Sequence, residues 1–243
     1  MQKNILITGA AKRIGAACAT LLHRQGCNII LHYRESETQV RELCTLLNQQ
    51  RPNSAQIIQA DLLDFAALKQ LADQATAIWG KIDGLVNNAS AFYPTPLASV
   101  TEKTWDDLMG CNLKAPFFLS QALMETLGAN NGCIINIIDI HAERGLKDYP
   151  IYSMAKSGLA SMTRILAKEL APSIRVNGIS PGAIIWPEDE LSEAAKGDIM
   201  SRIALKRAGE PDDIAKMVAF FINDAPYITG QIINVDGGRT LFC

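Results

Sequence analysis

The stretch that decides the fold is TGAAKRIG, Thr8 to Gly15. It starts where a short apolar run over residues 4–8 ends. It closes inside a segment whose Ile14, Ala17, Cys18, Leu21 and Leu22 fall at i, i+3, i+4, i+7 and i+8, the spacing of an amphipathic helix. Gly26 then supplies a C-terminal stop. A glycine turn between strand and helix lets backbone N–H groups approach a pyrophosphate, and the helix N-terminus favours its charge. Any strand-to-helix turn also favours glycine, so the string alone leaves both readings open.

Working outward, the same rhythm runs almost from end to end. Further strands are expected at 28–33, 55–59, 84–86, 133–138, 174–179 and 231–235. Ser36 with Gln39 has the form of a capping box for a helix running to about Gln49, and another helix is expected over 65–79. A long helical stretch covers 102–127, with Gly110 and Pro116 as points where it can kink. Ala155, Leu159, Met162, Leu166 and Leu170 mark one more helix face. Apolar runs without alternation imply strands covered on both faces. The expected fold is therefore α/β, one doubly wound parallel sheet with helices on both faces, as a single domain over 1–243. The irregular segments 90–100, 141–150 and 181–196 all follow strands. Ligands bind at the carboxyl ends of strands in such sheets.

Composition narrows the function classes. The chain has 243 residues, is 48% apolar, and balances 23 Lys+Arg against 25 Asp+Glu. It is too apolar and too nearly neutral for disorder, and it lacks the basic excess that would engage a phosphate backbone, so no nucleic-acid partner is expected. The N-terminal residues lack a signal-peptide h-region, and no run of about 18 apolar residues would span a membrane. The six cysteines are neither in C-x-x-C spacing nor set with His at metal-ligand intervals. They read as reduced thiols of a cytoplasmic protein with no metal, with Cys243 the exposed one.

Three places carry chemistry. At the tip of the second strand, about 20 residues past the glycines, an acid would bind the ribose hydroxyls of NAD. Here Tyr33 is followed by Arg34, which suits a 2′-phosphate, so NADP(H) is favoured. Ser36 can add a hydroxyl or cap its helix, and Glu35 is the counter-evidence. Tyr152 and Lys156 stand at i, i+4 on one helix face, where an ammonium would lower the phenol pKa from about 10. Phe92, at a strand tip beside Ser90, can anchor its loop in the core or form a flat wall for a planar ring.

These strings resemble the short-chain dehydrogenase/reductase family, whose Rossmann-type fold they imply. TGAAKRIG departs from the family in placing Arg13 where glycine is usual. The guanidinium there can meet the pyrophosphate or an acceptor on the substrate. By the resemblance, Gly9, Ile14, Gly15, Pro181 and Gly182 also line the cofactor. Asp61 and Leu62 lie at the adenine, Asn88 and Ala89 along the ribose. Asn112 completes a proton-relay tetrad with Tyr152 and Lys156. The tetrad's usual serine is replaced by Asp139, a carboxylate that can hold a protonated nitrogen heterocycle, donate a proton, or cap a loop.

LHYRES, NNASAFYPTPL, Asp139 and RVNGISPG together look like the pteridine reductases within that family. That resemblance implies NADPH-dependent reduction of a dihydropterin to its tetrahydro form. Tyr152, Lys156 and Asp139 would manage the proton. Phe92 would form one wall for the pterin, and Arg13 and Ser90 would bind polar edges of the pterin or the cofactor phosphates. It also implies a homotetramer. Trp186, in a substrate loop over about 181–205, can close over the substrate or cover a core edge. Glu188, Asp189 and Glu190 read as a solvated helix start, or as pocket-facing acids disfavouring a folate tail. That second reading gives an expected preference for unconjugated dihydrobiopterin or dihydromonapterin over dihydrofolate. A general carbonyl or 3-oxoacyl reductase, and a dinucleotide-sensing protein without turnover, are the alternatives.

Overall fold

The apolar runs become strands, and all of them join one sheet. The computed structural model describes residues 2–184 and 193–242. Its strands are β1 (Asn4–Ile7), β2 (Asn28–Tyr33), β3 (Ala55–Gln59), β4 (Gly84–Asn87), β5 (Cys133–Ile137), β6 (Arg175–Pro181) and β7 (Ile232–Val235). They lie in the order β3-β2-β1-β4-β5-β6-β7, and every neighbouring pair is parallel. β1, β2, β4 and β5 are buried at every residue, whereas the outer β3 and β7 are only partly covered. Continuous apolar sequence therefore marks the strands that lie between two helical layers.

The helices are α1 (Arg13–Arg24), α2 (Glu37–Gln50), α3 (Phe65–Trp79), α4 (Glu102–Met109), α5 (Ala115–Ala122), α6 (Met124–Ala129), α7 (Pro150–Glu169), α8 (Glu193–Ser201) and α9 (Pro211–Asn223). Successive strand residues face opposite layers. Ile5 and Ile7 of β1 pack with Cys18 and Leu22 of α1 and with Val218 and Phe221 of α9. Leu6, between them, packs with Leu68 and Leu71 of α3 and Leu119 of α5. Each such side chain contributes about 1.5–3 kcal/mol when fully buried. The sheet is therefore held from both sides, and its carboxyl edge is a rigid base for loops.

One expectation is corrected, and a second, a break at Gly110, is met in a specific form. The Ser36 hydroxyl makes no cap hydrogen bond to α2, because Ser36 has φ −82°, ψ 57° rather than the extended backbone that aims a cap. The long helix over 102–127 is interrupted. After α4 the chain makes a π turn over Gly110–Lys114, and α5 and α6 follow, separated at Leu123. The cause is local: Asn112 Nδ2 donates to the Leu108 carbonyl at 2.9 Å, occupying the acceptor its own backbone N–H would use in an α-helix. Pro116 then has no N–H to offer the Asn112 carbonyl four residues back.

Candidate active site

A cleft of about 870 Å³ opens along the carboxyl edge of the sheet. The turn after β1 forms its floor, and the tip of β2 and the loop after β3 form one end. The segments after β4, β5 and β6 form the other end. Every cofactor-side residue expected from the sequence lines it, from Gly9 and Arg34 at one end to Lys156 and Gly182 at the other. Phe92, Asp139 and Tyr152 line it too. Asn112 does not; it is fully buried behind the wall. Trp186, Glu188, Asp189, Glu190 and Cys243 lie outside the described residues.

The glycine turn is held tightly. Gly9 has φ +62°, and a Cβ on it would stand 3.0 Å from the Ala89 backbone, so only glycine fits. Thr8 Oγ1 accepts from the backbone N–H groups of Asn88 and Ala89 at 2.9 and 3.0 Å. Asn88 Nδ2 donates back to the carbonyls of Thr8 and Gly9. The turn after β1 and the loop after β4 are thereby one unit. Arg13 adopts φ +51°, a left-handed conformation costing a non-glycine residue about 1–3 kcal/mol. At the tip of β2, Arg34 Nε lies 3.1 Å from Glu35 Oε1, both side chains largely exposed. Such a pair is weak, so Glu35 does not hold Arg34 against a stronger anion.

The other end centres on one hydrogen bond. Tyr152, from the first turn of α7, donates its hydroxyl to Asp139 Oδ2 at 2.7 Å. Asp139 Oδ1 accepts from the His141 N–H at 2.8 Å, so this carboxylate both caps its loop and faces the phenol. The Tyr152 pKa is pushed well up, first by burial, then by the Asp139 charge and the bond to it, with the Ser90 hydroxyl pulling the other way. This corrects the expectation of a phenol acidified by Lys156. Lys156 is buried and donates from Nζ to the Ile137 carbonyl at 2.9 Å, with Nζ 5.7 Å from the Tyr152 ring centroid. Burial brings its pKa down to about 8, against the opposing pull of Asp139 and Cys111.

Asn112 acts at one remove. Its amide donates to the carbonyls of Ala91 and Leu108, both at 2.9 Å, and its Oδ1 accepts from Ser90 Oγ at 2.7 Å. It fixes the loop that carries Ser90 and Phe92. Phe92 is 55% exposed, which decides against a core anchor. Its ring stacks on Tyr149, centroids 4.6 Å apart at 11°, and meets Tyr152 edge-on at 4.8 Å. Sequence reading missed Tyr149, His32, His141 and Arg239, all lining the cleft. Tyr149 is the N-cap residue before Pro150 of α7, so helix-face spacing does not reach it. The others carry no spacing signal.

A family model described as enoyl-(acyl carrier protein) reductase matches residues 9–240. Curated relatives cover nearly the whole chain. Pteridine reductase 1 of Leishmania tarentolae is 37% identical over 97% of this chain and 96% of its own. The chain belongs to the short-chain dehydrogenase/reductase family. Other members of that family are nearly as similar. The 3-oxoacyl-(acyl-carrier-protein) reductase FabG of Staphylococcus epidermidis is 34% identical over 98% of this chain and 99% of its own. An uncharacterized oxidoreductase, YmfI of Bacillus subtilis, is 35% identical over 98% and 99%. Short-chain dehydrogenase/reductases are oxidoreductases that use a nicotinamide dinucleotide. Among the described residues, no cluster of side chains could hold a metal ion, and no helix is long and apolar enough to cross a membrane.

Proposed function

We propose that this protein is an NADPH-dependent pteridine reductase. It reduces dihydropterins such as dihydrobiopterin, dihydromonapterin or dihydrofolate to their tetrahydro forms. The observation that carries this reading is the 2.7 Å bond from the Tyr152 hydroxyl to Asp139. A carboxylate at the reacting centre suits a ring nitrogen that must be held and protonated. A ketone asks only for a hydroxyl donor. The exposed Phe92 ring, backed by Tyr149, offers a flat wall for a bicyclic substrate. The likeness to a pteridine reductase supports the same assignment.

The residues along the cleft fit NADP(H). Arg34 and Ser36 would take the 2′-phosphate through charge-assisted bonds. Arg13 and the start of α1 would take the pyrophosphate. Asp61 and Leu62 would border the adenine, and Asn88 and Ala89 the ribose. Lys156, Pro181 and Gly182 would border the nicotinamide. When bound, NADPH supplies the hydride. Tyr152, kept as a phenol by its surroundings, would be the proton donor. Asp139 orients that phenol and accepts from a substrate N–H. Lys156 carries positive charge below its lowered pKa and offsets negative charge building on Tyr152. Residues 1–243 would act as one domain in a reducing cytoplasm, with 181–205 as its substrate loop, assembled as a homotetramer.

A second reading, 3-oxoacyl reductase, is favoured by the similarity to FabG. Loss of NADPH absorbance with dihydrobiopterin, dihydrofolate and a panel of ketones and 3-oxoacyl thioesters separates the two. Pterins are expected to turn over and ketones not. Bound NADPH with no pterin turnover would overturn the assignment, and thioester turnover would establish the alternative. Binding without any turnover would mark a dinucleotide sensor. Tyr152→Phe is expected to lower kcat by about 10²–10⁴-fold while NADPH affinity stays nearly unchanged.

A further inference from the structure

His32 stands at the end of β2, buried, with both ring nitrogens bonded. The Gly9 N–H lies 3.1 Å from Nδ1, and Nε2 lies 3.1 Å from the Ala60 carbonyl. A backbone N–H can only donate and a carbonyl can only accept, so Nδ1 is the acceptor and the proton is on Nε2. The His32 carbonyl also accepts from the Ala10 N–H at 2.9 Å. Two successive amides of the glycine turn are thus tied to one residue. Ala60 is itself tied to β2, donating its N–H to the Tyr33 carbonyl at 3.1 Å, and it immediately precedes Asp61 and Leu62.

We propose that His32 is a positioning residue for the dinucleotide, a single imidazole that joins the turn under the pyrophosphate to the loop beside the adenine. By holding the N–H groups of Gly9 and Ala10 against β2, it leaves the amides of Ile14 and Gly15 to face the anion. These precede the first i to i−4 bond of α1, from Ala16 to Lys12. The arrangement needs an uncharged ring, since a second proton on Nδ1 would face the Gly9 N–H. Burial supplies this, taking the His32 pKa down to about 4. The proposal rests on the dinucleotide part of the functional reading and is independent of which substrate is reduced.

The test is NADPH binding followed by protein fluorescence, in the wild type and in His32→Leu and His32→Gln. Leucine leaves the partly buried Gly9 N–H unpaired, and Kd for NADPH is expected to rise about 10- to 100-fold. KM for NADPH should rise with it, by more than kcat at saturating NADPH falls. Glutamine carries an acceptor and a donor on one planar group and should recover most of the affinity. Nitrogen NMR of the wild-type imidazole should show the proton on Nε2 throughout pH 5–8. His32→Leu binding NADPH within about twofold of wild type would overturn the proposal. So would a His32 that titrates near its ordinary value, or a Gln variant no better than Leu. If His32→Leu fails to fold, the Gln variant and the NMR measurement still decide. A wild type that binds NADPH but reduces no pterin would remove the pteridine assignment and leave this proposal standing.

Discussion

On the proposed reading, substrate choice turns on Asp139. Its carboxylate faces the Tyr152 phenol, so it raises the phenol pKa and presents an acceptor to any ring N–H. Asp139→Ser removes the charge and leaves a hydroxyl. Pterin turnover is expected to fall at least tenfold, about 1.4 kcal/mol of transition-state stabilisation, and ketone reduction to appear or rise. Unchanged pterin turnover in that variant would show the carboxylate to be a loop cap only. Lys156 is legible in the same way, but its energetics run against stability. Its pKa is lowered in the folded chain, so the unfolded chain binds the proton more tightly. Stability therefore rises with pH between about 8 and the ordinary lysine value, and below about pH 8 the buried charge destabilises the fold. Lys156→Met should abolish turnover yet raise the melting temperature at pH 7, with a gain on the order of 1–3 kcal/mol. A lower melting temperature would show that the bond to the Ile137 carbonyl outweighs desolvation. Tyr152 and Lys156 could be found because their helix-face spacing sits among family motifs that make it more than a common surface pair. His32 could not, since its role depends on Gly9 and Ala60, which come together only when β1, β2 and β3 pair.

At the scale of elements, the strands and most helices could be read from periodicity, and what escaped was a bond-level event. The π turn over Gly110–Lys114 looks helical in sequence because a π turn keeps helical residues and changes only the acceptor. Asn112 forces it through one side-chain bond to Leu108, and the same side chain holds Ala91 and Ser90. Asn112→Ala is expected to leave buried carbonyls unpaired and cost about 1–3 kcal/mol in urea unfolding. It should also lower kcat, because Ser90 and Phe92 lose their support. A stability loss with kcat unchanged would limit Asn112 to a structural role. The failed Ser36 cap has the same origin. Its spacing to Gln39 was correct, but capping depends on a backbone angle that spacing does not encode.

For the whole molecule, the near balance of charge conceals a local excess, with Arg13 and Arg34 both on the cleft in a chain of net charge −2. The described surface also carries large exposed side chains away from the cleft, among them Phe65, Phe117, Met154, Phe220 and Tyr227. Exposed apolar side chains of this kind are what assembly into a homotetramer would cover. Light scattering is expected to give four times 26.4 kDa, and Phe117→Glu to reduce it. A monomer mass for the wild type would remove the tetramer. The cleft runs along the carboxyl edge of the sheet, while the described residues of the opposite edge include ties such as His23 to Ser54 and Lys81 to Asp83. Mutational robustness and innovation are thereby assigned to opposite ends of the same strands. A lineage built on this plan can trade one substrate for another by rewriting loops, at little risk to the scaffold. A protein engineer grafting residues 139–150 between relatives would be repeating that experiment.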